Sequence, residues 1–386
     1  PSNELRAFML LNSAKNYEDY VEALNYYDCP AQNIAFADIS GDIAIWHNGK
    51  FPLRWQDQGR YISDGTDPAY DWQDWVPKLH NPHVKNPARG FISSANQNPA
   101  DETYPYYLGW NYATFTRGAR INERLAEMQS ITPQDMLDLQ NDCLNMRART
   151  ILPTLISLVE RQNLTEDERK VLNIVKPWNY ESRAMQAAPL IFERWWRMLY
   201  NLTWEDQIAH DDGDLKWPRS DVTFDLILNQ PDNAFIDVST TDKKESLSEL
   251  IFQAFRQTRE ELEKELGPVG KDWAWGKARG TDINHLARIP GLGRTKLFTS
   301  GDAGIVNATS KLHGPSWRMV VDLDPEGVQA WGIYPGGQSG NPGSYFYDNM
   351  VDDWISGRAY KLAFLQSADE QNEKIVGKTI LRNLAE

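Results

Sequence analysis

Cys29-Pro-Ala-Gln-Asn-Ile-Ala-Phe-Ala-Asp-Ile-Ser-Gly-Asp-Ile-Ala-Ile-Trp-His47 is the stretch that decides the fold class. Apolar side chains alternate through residues 33–38 and again through residues 43–47, the period of a half-buried strand. Between them, Ser40-Gly41-Asp42 supplies tight-turn chemistry, so the segment reads as two strands joined by a turn. Just upstream, residues 16–24 (Asn-Tyr-Glu-Asp-Tyr-Val-Glu-Ala-Leu) read as an amphipathic helix. The opening of the chain is therefore mixed helix and strand, up to about residue 125. Within it, residues 55–90 are rich in Asp, Gly, Pro and Trp without lasting periodicity, and a long ordered loop is expected there.

Further along, the signals are helical. Thr132-Pro-Gln-Asp135 sets a capping Thr, a Pro at the first helical position and a carboxylate three residues on. A helix starting there is expected to run into the 150s, where Pro153 bends or ends it. Thr165–Glu168 and Ser246–Glu249 repeat the capping signature, and Gly267-Pro268 stops the helix that the second one opens. After about residue 298 the period changes again. Residues 318–323 and 328–334 read as adjacent strands across an Asp324-Pro-Glu-Gly327 turn, followed by the Gly-rich Pro335-Gly-Gly-Gln-Ser-Gly-Asn-Pro342. Three segments result: 1–125, a mixed core; 126–297, a mainly helical insertion or cover; and 298–386, strands and a helix. If the closing strands rejoin the sheet begun near residue 33, the helical block is a long insertion covering it.

Composition excludes several function classes. Forty basic against 54 acidic residues leave a formal net charge of −14, opposite in sign to a nucleic-acid binder. No apolar run approaches the ~18–20 residues of a membrane span, and no signal peptide opens the chain. The 15 Trp, 16 Tyr and 13 Phe are a heavy aromatic load, which fits core packing and also leaves open a noncatalytic carbohydrate- or peptidoglycan-binding protein. Cys29 and Cys143 have no metal-ligand spacing; two buried free thiols are expected, with one disulfide as the alternative. Gly-x-Ser-x-Gly elbows, phosphate loops, dinucleotide fingerprints and His-Glu-x-x-His are absent, and no histidine pairs with a second at ligand spacing.

Five segments carry a resemblance. They are residues 29–44 with Gly49-Lys-Phe-Pro-Leu-Arg54; Gly90-Phe-Ile-Ser-Ser-Ala-Asn-Gln-Asn-Pro99; Arg117-Gly-Ala-Arg-Ile121; Trp275-Gly276 through His285-Leu286 with Ile289-Pro-Gly-Leu292; and His313 to Asp322 with the Gly-rich run behind it. Together, in order, they resemble the β (heavy) subunit of the penicillin acylase (penicillin amidase) family of N-terminal-nucleophile hydrolases. The resemblance implies an α+β fold, a four-layer αββα sandwich present here in part, with a large helical insertion. It implies a precursor that cleaves itself into α and β chains. It also implies attack on the amide of a small N-acyl substrate, of β-lactam or acyl-homoserine lactone type, by a new N-terminal Ser, Cys or Thr whose own amine serves as base. An inactive homologue that keeps the fold is the alternative.

The match begins inside the β subunit, so the nucleophile is expected upstream. Ser2 is rejected for that role because Pro1 occupies its amine. The implied partners are the α (light) chain and the missing N-terminal β segment; the implied location is the periplasm or outside the cell. Asn96 falls on the family's oxyanion-hole asparagine, against the plainer reading that it and Asn98 cap a turn before Pro99. Arg120 falls on the family's site arginine, with Arg117 competing. Phe8, Gln32 and Asn33 fall at the acyl pocket and cleft edge, where Gln32 makes one wall polar. His313 and Arg318 are expected in buried structural pairing. No cofactor is required. The structural Ca²⁺ often found in the family is drawn into doubt, because Tyr106-Tyr107-Leu108 stand where its aspartate is expected.

Overall fold

The structure is a computed structural model that describes residues 2–208 and 216–382; Pro1, on which the rejection of Ser2 leans, lies outside them. The chain divides into two compact units, Pro1–Ser130 with Leu139–Gly314, and Ile131–Asp138 with Pro315–Glu386.

The first unit opens with helices α1 (Glu4–Ser13) and α2 (Tyr17–Leu24), followed by the expected strands β1 (Gln32–Ala37) and β2 (Ile43–Asn48). They pair antiparallel, Asn33 opposite His47 and Phe36 opposite Ala44. The turn is held by one carboxylate: Asp38 Oδ1 accepts from Ser40 N at 2.9 Å, Ser40 Oγ at 2.6 Å and Asp42 N at 3.1 Å. Gly41 completes it at φ 94°, a conformation that costs a side chain-bearing residue dearly. The period-2 pattern buries Trp46, which packs with Tyr20 and Leu24 of α2 and partly with Ile34 and Phe36. Two polar handles lock this small core: Tyr20 Oη donates to Ile34 O at 2.6 Å, and Trp46 Nε1 to Tyr17 Oη at 3.1 Å. The loop after Trp55 is ordered as expected, with one strand that the sequence pattern missed. Strand β3 (His83–Lys85) pairs antiparallel with β2, and its His83 ring stacks on Trp46 at 3.9 Å. Three residues with a single apolar member, Val84, carry no readable period.

The helical part comprises α3 (Thr116–Glu127), α4 (Pro133–Gln140, which the second unit shares), α5 (Met146–Val159), α6 (Glu166–Val175), α7 (Ala188–Ile208), α8 (Ser220–Asn229), α9 (Leu247–Leu266) and α10 (Trp275–Arg279). Its core is packed by Ile151, Leu155, Trp195, Leu199, Ile251 and Phe255, all fully buried. The capping boxes of Thr165 and Ser246 both form, and Gly267 ends α9 at φ 77°. The expected helix from Thr132 into the 150s is corrected. It stops at Gln140, and α5 starts anew where Asn145 Oδ1 accepts from Ala148 N at 3.0 Å. The break follows from Asp142, whose Oδ1 accepts from Leu144 N at 2.9 Å and takes the backbone out of the helix. Pro153 then lies inside α5 rather than at its end, on the exposed face. Both cysteines are free; Cys143 is buried as expected, whereas Cys29 is exposed.

In the second unit, strands β4 (Arg318–Asp322) and β5 (Gln329–Ile333) flank the expected turn, closed by Gly327 N donating to Asp324 O at 3.0 Å. After α11 (Val351–Ser356), β6 (Tyr360–Lys361) pairs with β5. Among the described residues these strands form a three-stranded sheet in the order β4-β5-β6. Arg318 is buried, donates to Trp354 O at 2.8 Å and lies over the Trp354 ring. His313 instead is exposed and bonds Ser310 Oγ at 2.9 Å.

Because the Ser246 hydroxyl and the Glu249 carboxylate satisfy orphan donors of α9 reciprocally, Ser246→Ala is expected to lower unfolding stability by about 1 kcal/mol. Ser246→Asp should retain most of it. Urea titrations of the three proteins check this.

Candidate functional site

The site grows from the loop that follows β3. Ala95 is buried, and Asn96 turns the chain at φ 64°, a left-handed conformation that Asn tolerates better than most residues. Four bonds fix this loop in place. Arg117 Nη2, near the start of α3, donates to Ala95 O at 3.1 Å and to Asn96 Oδ1 at 2.8 Å. Ser93 Oγ reaches Asn122 Oδ1 of the same helix at 2.6 Å. Gln97 Oε1 accepts from Ala95 N at 2.6 Å, and the Gln97 side chain packs against buried Gly118.

The two asparagines are bonded differently. Asn98 Oδ1 accepts from Ala100 N at 3.2 Å, so Asn98 caps the turn. Asn96 does not cap. With Arg117 donating to its oxygen, the amide can be oriented only one way, and its Nδ2 is left exposed with no bond to any described residue. The result is an N–H₂ donor held by a cation from behind.

Arg120 lies just under one turn further along α3 and does something else. Its Nε and Nη2 clamp Asp142 at 3.0 and 2.7 Å, and its Nη1 donates to Glu123 at 3.0 Å. Arg149 of α5 takes both oxygens of Glu123 at 2.9 and 3.0 Å. These groups tie α3 to α5 and to the 140–145 loop. The guanidinium is paired on three sides and is not brought to Asn96; it acts on the site through the position of α3.

Asn33 and His47 meet across the β1–β2 pair, with Asn33 Oδ1 and His47 Nδ1 3.0 Å apart. Asn33 Nδ2 donates to Ser94 Oγ at 2.8 Å, so its oxygen is the acceptor and His47 carries its proton on Nδ1. Burial lowers the His47 pKa, and Phe51 stacks on its ring at 5.0 Å. A recess of about 200 Å³ is lined by Asn33, His47, His83, Ser94, Gln97 and Asn98 among others. Phe8 and Gln32 are not part of that lining. Phe8 is exposed and meets Tyr27 edge to face at 5.7 Å; Gln32 opens β1 opposite Asn48. Sequence reasoning missed His47. Counting back from the Ser40-Gly41-Asp42 turn places it opposite Asn33, and that was the available signal.

Tyr106–Leu108 offer no carboxylate, and among the described residues no three His, Cys, Asp or Glu side chains gather closely enough to hold a metal ion.

Comparison with known proteins finds similarity along most of the chain. The sequence pattern of the penicillin amidase family matches residues 1–371. The acyl-homoserine lactone acylase QuiP of Pseudomonas fluorescens is 26% identical over 411 aligned positions, covering 98% of this chain and 49% of that protein. Penicillin G acylase of Escherichia coli is 24% identical over 43% of this chain and 20% of its own length. The chain thus spans about half the length of the curated relative that it matches from end to end. In three dimensions, the thermostable penicillin G acylase from Alcaligenes faecalis superposes over 98% of this chain and 73% of its own, with TM-score 0.68 at 15% identity. The two share a fold.

Two predictions follow from the geometry. The folded His47 pKa lies below the usual 6.5, so between that lowered value and 6.5 the unfolded chain holds more protons at this position. Stability must therefore fall as pH drops through this window. His47→Gln should flatten the decline in Tm between pH 7 and 5 relative to the unsubstituted protein, and an unchanged slope would remove the buried neutral imidazole from the account. Arg120→Ala removes the bidentate partner of the largely buried Asp142, leaving it the Leu144 N–H and the Arg124 guanidinium at 4.0 Å, and unfolding stability should drop by about 2 kcal/mol. Arg120→Lys should recover only part of that, since an ammonium cannot reproduce the bidentate fork.

Proposed function

The chain belongs to the penicillin amidase family, and on that premise we propose that it supplies the oxyanion half of an acylase that hydrolyses the amide bond of a small N-acyl compound. Acyl-homoserine lactones and β-lactams are the substrate types in view, by the names of its relatives. The observation that carries the reading is the Asn96 amide, its oxygen clamped by Arg117 and its Nδ2 unclaimed.

The proposed reaction runs through an N-terminal nucleophile on a segment outside these 386 residues. Its oxygen or sulfur attacks the amide carbon while its own α-amine takes the proton through a water, and the carbonyl π electrons move onto oxygen. Asn96 Nδ2–H donates to that oxyanion. Because the charge exists only at and around the transition state, a donor held in advance lowers the barrier without tightening the ground state. Collapse expels the amine, and water then hydrolyses the acyl-enzyme. Arg117 keeps the amide from rotating, while Asn33, through Ser94, holds the near end of the loop against β1. Phe8 and Gln32 are assigned to the acyl side, Gln32 giving it a polar element. No step needs a metal.

The nucleophile-bearing segment and a light chain are the proposed partners. Surface chemistry supports them: Leu5 and Met9 of α1 are 75% and 66% exposed, and no strand pairs with the outer edge of β1 among the described residues. The periplasm or the extracellular space is proposed from the family resemblance. No helix among the described residues is long and apolar enough to cross a membrane.

In the intact, matured protein, Asn96→Ala should lower kcat for an N-acyl substrate by ~10²–10³ with little change in KM. Asn98→Ala should have a modest effect through turn stability alone. Steady-state kinetics on both variants, after circular dichroism and chain cleavage have been verified, decide it. Normal turnover by matured Asn96→Ala would remove Asn96 from the oxyanion site.

A further inference from the structure

We propose that a cavity within the helical part of the first unit binds a small organic carboxylate with an apolar body, at a site separate from the acyl cleft and independent of the hydrolytic reading. The cavity measures about 460 Å³, within the size range of small-molecule sites, and shares no lining residue with the recess at Asn33 and His47. Its wall includes Arg147 of α5, Glu193 and Trp196 of α7, Ser220 at the start of α8, and Trp275 and Arg279 of α10.

The polar part of this wall has donors left over. Arg279 spends Nη1 on Gly301 O at 2.9 Å and Nη2 on the hydroxyls of Thr299 and Thr309 at 2.7 and 3.0 Å. Its Nε is buried and has no acceptor. Arg147 gives Nη2 to Glu193, whose other oxygen is taken by Asn145 Nδ2 at 2.8 Å; Arg147 Nε is likewise buried without an acceptor. Ser220 Oγ is the third buried polar atom here with no partner. Native proteins usually pair buried groups of this kind; other buried side-chain atoms of this chain also lack partners, but three of them belong to residues that line this one cavity.

Charge at the wall is close to balanced. Four arginines and one carboxylate line the cavity. Arg194 and Arg197 pair with Glu261 and Glu265, Glu193 is committed to Arg147 and Asn145, and Arg279 has Asp302 3.9 Å away. The guanidinium Nε–H groups without an acceptor, rather than an excess of charge, make the place for an anion, and a planar carboxylate suits the guanidinium edges. The remaining wall, buried Leu190, Trp196 and Trp275, calls for an apolar or aromatic body behind the carboxylate. Bare phosphate would leave that wall unfilled and bring a second negative charge toward Glu193.

Isothermal titration of the intact protein with octanoate and benzoate, against octanamide, benzamide and inorganic phosphate, tests the proposal. Each acid should bind at least about tenfold more tightly than its amide, and phosphate more weakly than either acid. Ala278→Leu, which fills the cavity without touching a charge, should weaken acid binding by about tenfold or more. Ser220→Ala, a milder change, should weaken it about threefold. Asn96→Ala should leave it unchanged. Equal binding of acid and amide, phosphate binding as tight as octanoate, or affinity indifferent to both cavity variants overturns the proposal. So does loss of binding in Asn96→Ala, which would assign the signal to the acyl cleft.

Discussion

The hydrogen bond from Arg117 to the Asn96 amide oxygen is the constraint on which the orientation of the candidate site depends. An asparagine amide on a left-handed loop position has two orientations, and only the guanidinium distinguishes them. That guanidinium is held in turn by the placement of α3. Arg120, Glu123, Asp142 and Arg149 fasten α3 to α5 with paired charges on both sides, and α5 is a wall of the main apolar core. The positional accuracy of one exposed amide thus rests on a chain of contacts ending at Ile151, Leu155 and Trp195.

A second line of support comes from the hairpin. Asn33 reaches the loop through Ser94 and is itself oriented by His47 across the strand pair. The loop carrying Asn96 is consequently gripped from a sheet on one side and a helix on the other. Both grips leave Asn96 Nδ2 without a partner among the described residues.

Local signals in the sequence were legible where a single residue's chemistry determines the backbone. The Asp38–Asp42 turn, the capping boxes at Thr165 and Ser246, and the Gly267 stop all form as their residue types demand. The signal failed where a side chain competes with the helix it seems to belong to, as Asp142 does by capturing Leu144 N. It failed also for β3, which exists because β2 offers it an edge. At the site, motif spacing singled out Asn96 and favoured Arg120 over Arg117, whereas it is Arg117 that bonds the Asn96 amide oxygen. Arg117 and Arg120 sit less than one helical turn apart, and their division of labour is decided by where Asp142 and the 95–96 loop lie in space. The cavity at Arg147 and Arg279 left no trace in sequence, since its members come from four helices.

A double-mutant cycle on kcat in the matured, intact protein, combining Asn96→Ala with Arg117→Met, tests the central claim most directly. If Arg117 acts by orienting the Asn96 amide, Arg117→Met should slow the reaction strongly alone and add almost nothing once Asn96 is alanine, a coupling of about 2 kcal/mol or more. Additive losses, with Arg117→Met equally damaging in both backgrounds, would contradict it.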